Sequence, residues 1–249
     1  MSLEYECRQT IDSRDVDGAG CCRASALLGH MQEAATQAAE TSAFGRKIIL
    51  EQYHAFWMLT RIFFRLQRPL RWGEELTIRT WHRGGRAAML YRDFDLLVGG
   101  APVGEGVSAW VLADQDSRRL LRLGDIPEIQ GTEGTHCKTL KLSKLKRPES
   151  LTLAERRPMR YSDTDINNHV NNTRYADFAC DMVGMPREGQ FLSELRLGFL
   201  SECRIGEVLE IFTGGEPDRP FVLGRDGQGK DRFEAELGFG SCPLSGPLF

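Results

Sequence analysis

Arg71-Trp-Gly-Glu-Glu-Leu-Thr-Ile-Arg-Thr80 returns as Arg204-Ile-Gly-Glu-Val-Leu-Glu-Ile-Phe-Thr213, with six of ten residues unchanged. At ~7% usage for a common residue, chance gives about one match in such a window. A second pair lies upstream, Asp15-Val-Asp17 and Asp163-Thr-Asp165. Asp165 follows Asp17 by 148 positions and Arg204 follows Arg71 by 133, so the second copy is 15 residues shorter between the two marks. A tandem duplication of one folding unit fits both pairs and the 249-residue length.

The hydropathy pattern outward from these marks repeats as well. In the first copy a weakly alternating stretch, Leu3 to Val16, reads as an edge strand. Ala24 to Thr41 reads as a helix, because Leu27, Leu28, Met31, Ala34, Ala35 and Ala38 recur at steps of three and four. Four strand-like runs follow, Trp57–Gln67, Glu75–Trp81, Leu90–Val98 and Val103–Ala113, the last two joined by the turn signal Gly99-Gly100. The second copy offers a strand over Leu151–Tyr161, a helix from near Thr173, and runs at Phe191–Leu200, Val208–Thr213, Pro220–Gly224 and Phe233–Phe239. A helix followed by an antiparallel sheet, twice, is an α+β layout with each sheet curled over its helix. We divide the chain into units 1–134 and 151–249, joined by a basic linker over 135–150. The core of that linker holds Lys138, Lys141, Lys144, Lys146 and Arg147 and no acid. It reads either as a solvated connection or as a docking patch for an acidic partner.

Composition narrows the function classes. Hydrophobic residues at 41% and charged residues at 27% supply a core and exclude a disordered chain. A net charge of −3 argues against a protein devoted to nucleic acid. No apolar run approaches the ~20 residues of a membrane span, and the polar N-terminus lacks a secretory apolar segment. A cytoplasmic location is the expectation. The seven cysteines include one adjacent pair and no CxxC, which suggests neither a disulfide framework nor a zinc site.

The densest polar cluster is Tyr161-Ser-Asp-Thr-Asp165-Ile-Asn167-Asn-His169-Val-Asn-Asn172. A calcium loop starting at Asp163 fails, since Asn168 stands where glycine is needed and Arg174 where the bidentate acid is needed. A helix cap and turn would explain the Asn and Asp residues. Yet at the 148 offset Asn167 lies over Ala19 and His169 over Cys21, so the first copy enters its helix without them. The amides of the following helix's first turn are candidates to stabilise an oxyanion. Glu202-Cys203 precedes the repeated block, and its counterpart Pro69-Leu70 has neither acid nor thiol. Both polar clusters therefore belong to the second copy alone. Cys203 admits a Cys–His nucleophile reading beside that of a small buried hydrophobe.

Asp165-Ile-Asn-Asn-His-Val-Asn-Asn-Thr-Arg-Tyr175, with Glu202-Cys203 downstream, resembles the signature of the acyl-acyl carrier protein thioesterases of plant plastids and bacteria. Leu27-Leu-x-x-Met-Gln-Glu-Ala-Ala35, Trp57-Met-Leu-Thr-Arg61 and Arg71-Trp-Gly-Glu74 support the likeness across the first copy. The resemblance implies two tandem hot-dog units, the N-terminal one holding the acyl chain and the C-terminal one the catalytic residues. It implies hydrolysis of the thioester that joins a fatty acyl chain to the phosphopantetheine arm of acyl carrier protein, ending fatty acid synthesis. The family's catalytic set falls on Asp165, Asn167, His169 and Glu202, with Cys203 auxiliary. No cofactor or metal is expected beyond the phosphopantetheine of the substrate, and room is left for a homodimer. The chain begins without a plastid transit segment, which fits the bacterial branch. Phe56-Trp57-Met58 is a candidate pocket-lining segment, with ordinary core as the alternative. Arg65, Arg68 and Arg71 join the linker cations as candidates for an acidic carrier. An acyl-CoA thioesterase and a non-catalytic acyl-binding protein remain the alternatives.

Overall fold

A computed structural model describes residues 4–42, 44–122, 124, 126 and 140–242. The chain forms two compact units that are not simple halves of the sequence. One gathers residues 1–10, 29–64 and 74–142, and the other 11–28, 65–73 and 143–249. The linker residues 135–139, with Lys138, lie outside the described set.

The first unit contains strands β1 (Tyr5–Thr10), β2 (Ala55–Leu66, as far as Phe64), β3 (Glu75–Arg86), β4 (Met89–Val98) and β5 (Ala101–Asp114), and helices α1 (Ala24–Glu40, from Gly29 onward) and α2 (Arg46–Tyr53). Its strand order is β2-β5-β4-β3-β1. The second unit holds β6 (Thr152–Pro158), α3 (Arg174–Met182), β7 (Gln190–Phe199), β8 (Val208–Glu216), β9 (Arg219–Asp226) and β10 (Asp231–Ser241), in the order β7-β10-β9-β8-β6. Strand for strand the two orders are the same, and the pairings β1–β3, β3–β4 and β4–β5, like β7–β10, β10–β9, β9–β8 and β8–β6, are antiparallel. This is the tandem hot-dog arrangement. The repeated ten-residue block forms the turn into β3 in one copy and into β8 in the other.

The six apolar residues that predicted α1 are all buried. In the first unit the helix sits close on the sheet because β5 offers a glycine. A Cβ on Gly106 would lie 2.4 Å from the Met31 methyl. Phe94 pairs across from Gly106 and shares its face. Gly99 and Gly100, at φ of 58° and 81°, make the hairpin turn between β4 and β5. α2 was not anticipated. Of its residues only Ile49 is fully buried, so no apolar stripe marks it.

One expectation needs correction. The linker is not wholly solvated, because Leu140 is buried against Phe63 and Val107 with Leu142 beside it, while Lys141 between them is exposed. Trp57 and Met58 are neighbours on β2, so their side chains leave opposite faces of the strand. Trp57 packs on the cluster of Ile49, Ala55, Leu90, Leu112 and Ile126, and its indole N–H donates to the Phe44 carbonyl at 3.0 Å.

Candidate active site

Two loops of the second unit share one backbone conformation, bond for bond. In the first, Asp15 N–H donates to Asp12 O (3.0 Å), Asp17 N–H to Cys21 O (2.9 Å), Gly20 N–H to Asp17 O (2.9 Å) and Arg23 N–H to Asp15 O (2.8 Å). In the second, Asp163 N–H donates to Arg160 O (3.0 Å), Asp165 N–H to His169 O (2.9 Å), Asn168 N–H to Asp165 O (3.0 Å) and Asn171 N–H to Asp163 O (2.8 Å). Each partner is displaced by 148 positions. The turn requires a left-handed residue, supplied by Gly20 at φ 69° and by Asn168 at φ 57°. Asparagine is among the few side-chain-bearing residues that adopt this conformation readily.

Carboxylates hold both turns. Asp15 Oδ2 accepts from Asp12 N–H at 3.0 Å, and Asp163 Oδ2 from Arg160 N–H at 2.8 Å. Asp17 Oδ1 accepts from Ala19 N–H at 2.9 Å, and Asp165 Oδ1 from Asn167 N–H at 2.8 Å. The buried Asp163 was not singled out from the sequence, although its presence in both copies was the available signal of a structural acid. Asp165 makes the contact its twin makes in a loop without His or Glu.

Each loop is then tied to the segment ahead of the repeated block. Cys22 N–H donates to Leu70 O and Val170 N–H to Cys203 O, both at 2.8 Å. That bond places residue 202 beside residue 169. Here the copies diverge. Where the first has Cys21 and Pro69, the second has His169 and Glu202, and His169 Nε2 lies 3.2 Å from Glu202 Oε2. The imidazole is 18% exposed and the carboxylate 38%, so the pair is anchored in protein and open to water. Asn167 is exposed on the same loop. The structure thus brings His169 and Glu202 into contact, with Asp165 and Asn167 on the loop that carries the imidazole.

Cys203 occupies the place of Leu70, and both are 1% exposed. Burial pushes its thiol up to about 11, against a smaller downward pull from its hydrogen bond with Tyr175. Cys203 thus stands where a small buried hydrophobe would, with its thiol favoured over the thiolate. Two of the amides expected to serve an oxyanion are already engaged. Thr173 N–H donates to Asn171 Oδ1 and Arg174 N–H to Asn171 O, each at 2.9 Å, so Asn171 makes the turn that leads into α3.

Among the expected docking cations, several have internal roles. Arg147 pairs with Asp231 (2.6 Å) and Glu234 (3.1 Å), Arg65 with Glu194 (2.7 Å), Arg68 donates to Pro69 O (2.9 Å), and Arg71 donates to Ala19 O (2.9 Å). Lys141, Lys144 and Lys146 are exposed. Among the described residues, no three His, Cys, Asp or Glu side chains are grouped to hold a metal ion. No helix there is long and apolar enough to cross a membrane.

The model of the acyl-ACP thioesterase N-terminal domain matches residues 2–129, and that of the C-terminal domain residues 147–236. An oleoyl-acyl carrier protein thioesterase of Coriandrum sativum is 26% identical over 219 residues, which cover 78% of this chain and 58% of that protein. A dodecanoyl-[acyl-carrier-protein] hydrolase of Cinnamomum camphora is 26% identical over 217 residues, covering 79% and 56%. The chain therefore spans somewhat over half the length of these relatives. Among solved structures, an acyl-ACP thioesterase of Bacteroides thetaiotaomicron superposes with a TM-score of 0.81 at 20% identity, covering 96% of this chain and 98% of that one. The 12:0-ACP thioesterase of Umbellularia californica gives 0.78 at 22% identity, covering 97% and 99%. At these identities the likeness concerns the fold.

Proposed function

Since the chain belongs to the acyl-ACP thioesterase family, whose two domain models match it over residues 2–129 and 147–236, we propose that it hydrolyses fatty acyl thioesters of acyl carrier protein. The products are free fatty acid and the carrier with its phosphopantetheine thiol restored. The observation that carries the reading is the 3.2 Å contact between His169 Nε2 and Glu202 Oε2, found on only one of two otherwise matching loops.

In this reading Glu202 and His169 orient a water and take its proton as the water oxygen bonds to the thioester carbonyl carbon. The C–S bond then breaks, and the imidazole returns a proton to the departing sulfur. Asn167 positions the water or the carbonyl. Asp165 holds the loop. Its shared contact with Asp17 disfavours direct attack on the carbonyl, and single turnover in ¹⁸O-water is expected to leave no label in Asp165. Label found there would establish an anhydride route instead.

Two further expectations follow. Cys203→Ser should keep kcat within about threefold, because a buried thiol in a leucine position carries no chemistry; a loss comparable to that of a nucleophile mutant would reinstate the Cys–His route. Reversing the charge of Lys141, Lys144 and Lys146 together should raise KM for carrier-linked substrate roughly tenfold and flatten its salt dependence. An unchanged KM would remove these lysines from docking. The deciding assay is thiol release from one acyl chain on two carriers, with higher kcat/KM expected on acyl carrier protein than on coenzyme A. The curated relatives named for oleoyl and dodecanoyl substrates are equally identical to this chain, so chain length is left to that assay run across a series.

A further inference from the structure

Glu202 has few means of holding its own position. Its carboxylate is 38% exposed and meets His169 at the tip. The segment it stands on, from Leu200 to Glu207, is irregular between β7 and β8. One side chain from another strand gathers that segment. Arg232, on β10, is 12% exposed. Its Nη1 donates to the backbone carbonyl of Glu202 in the closest contact of the group, and to Ser201 Oγ at 3.3 Å. Its Nη2 donates to Asp226 Oδ2 at 2.9 Å and to Glu207 Oε1 at 3.2 Å. Its own carbonyl accepts the N–H of Leu200 at 2.9 Å and of Ser201 at 3.1 Å.

The anchors are themselves held. Asp226 Oδ1 accepts from the amides of Gln228 (2.9 Å) and Lys230 (2.8 Å), and Glu207 Oε2 accepts from Arg204 N–H at 3.0 Å. The planar fork of a guanidinium can bind a carbonyl on one arm and carboxylates on the other, which a lysine cannot do with the same geometry. The twin segment sets off the arrangement. There Pro69 stands in place of Glu202, and its carbonyl accepts from Arg68, the adjacent residue. In the second copy the equivalent carbonyl is bound from 30 residues away, by a strand of the sheet.

We infer that Arg232 is a positioning residue for the reaction, fixing the backbone of Glu202 so that its carboxylate meets His169. The inference rests on the proposed role of Glu202. A displacement of about 1 Å in a reacting group can cost ~10² in rate, and that scale sets the expectation.

The test is a double-mutant cycle on the intact chain, with kcat and KM measured on acyl carrier protein substrate and folding followed by thermal melting. Arg232→Gln is expected to lower kcat by ~10²-fold with KM within about twofold, and Arg232→Lys to recover part of the loss. In a Glu202→Ala background Arg232→Gln should cost nothing further, since it acts through the group already removed. A loss of the same size in that background, or a KM effect with kcat intact, overturns the inference and leaves the thioesterase reading standing. Near-normal turnover in Glu202→Ala alone overturns the inference together with the role of Glu202 as base, whereas failure of the unaltered chain to release thiol from acyl carrier protein substrate overturns the thioesterase reading. Should Arg232→Gln fail to fold, Asp226→Asn loosens the same guanidinium from its other side. A several-fold fall in kcat that vanishes in the Glu202→Ala background supports the role, and an unchanged kcat overturns it.

Discussion

Glu202→Gln is expected to lower kcat by ~10²–10⁴, the range for losing a general base. In activation free energy this is ~2.7–5.5 kcal/mol. Glutamine keeps the volume of the side chain and can still hydrogen bond to His169, but its amide cannot take a proton from water. KM should barely move, because the substitution removes an interaction used in the transition state rather than in binding. Stability should change by only about 0.5 kcal/mol, since the carboxylate is more than one-third exposed and its contact is a single imidazole. Steady-state kinetics with a thermal melt separates the two effects. Near-normal turnover would remove Glu202 from the mechanism, and with it the meaning of the Glu202/Pro69 difference between the copies.

Gly224→Ala is expected to damage stability and turnover together. A Cβ at this position on β9 would stand 2.2 Å from Phe233 Cε1 and 2.5 Å from Leu209 Cδ2. Both neighbours are fully buried, so neither can swing into solvent. Overpacking of this kind costs ~1–3 kcal/mol, or roughly 2–12 °C in melting temperature for a chain of this size. The effect should reach the site through packed side chains. The Phe233 ring lies 4.9 Å from that of Tyr175, and Tyr175 hydrogen bonds to Cys203, the neighbour of Glu202. Gly227→Ala is the control. Its Cβ would meet nothing within 4 Å. A melt and kcat unchanged in Gly224→Ala would mean that the layer between β9, β10 and α3 has slack.

Much of the fold was legible because it rests on short-range periodicity. The apolar steps along Ala24–Thr41 predicted α1, observed at Ala24–Glu40, and the Gly-Gly turn located the β4–β5 hairpin. α2 was missed because one buried isoleucine makes no pattern. The Lys-Leu alternation near Leu140 was read as polar, yet its leucines are covered, which depends on where β2 and β5 stand. Within the site, the His/Cys and Glu/Pro contrasts were visible as letters. That the side chain and carbonyl of Asn171 engage the amides of Thr173 and Arg174 was not visible in the letters. Cys203 could not be separated from a nucleophile until its place was seen to be that of Leu70.

By itself the sequence established that one unit occurs twice and that the second copy has His169 and Glu202 where the first has Cys21 and Pro69. Those are statements about neighbouring residues and their repetition. Only the tertiary structure decided that His169 and Glu202 touch, that Asp165 repeats the bond of Asp17, and that Arg232 grips the Glu202 carbonyl. The reason is physical. The two contacts of Glu202 join segments separated by tens of residues, and they form only when backbone hydrogen bonds such as Val170 to Cys203 have closed the intervening chain.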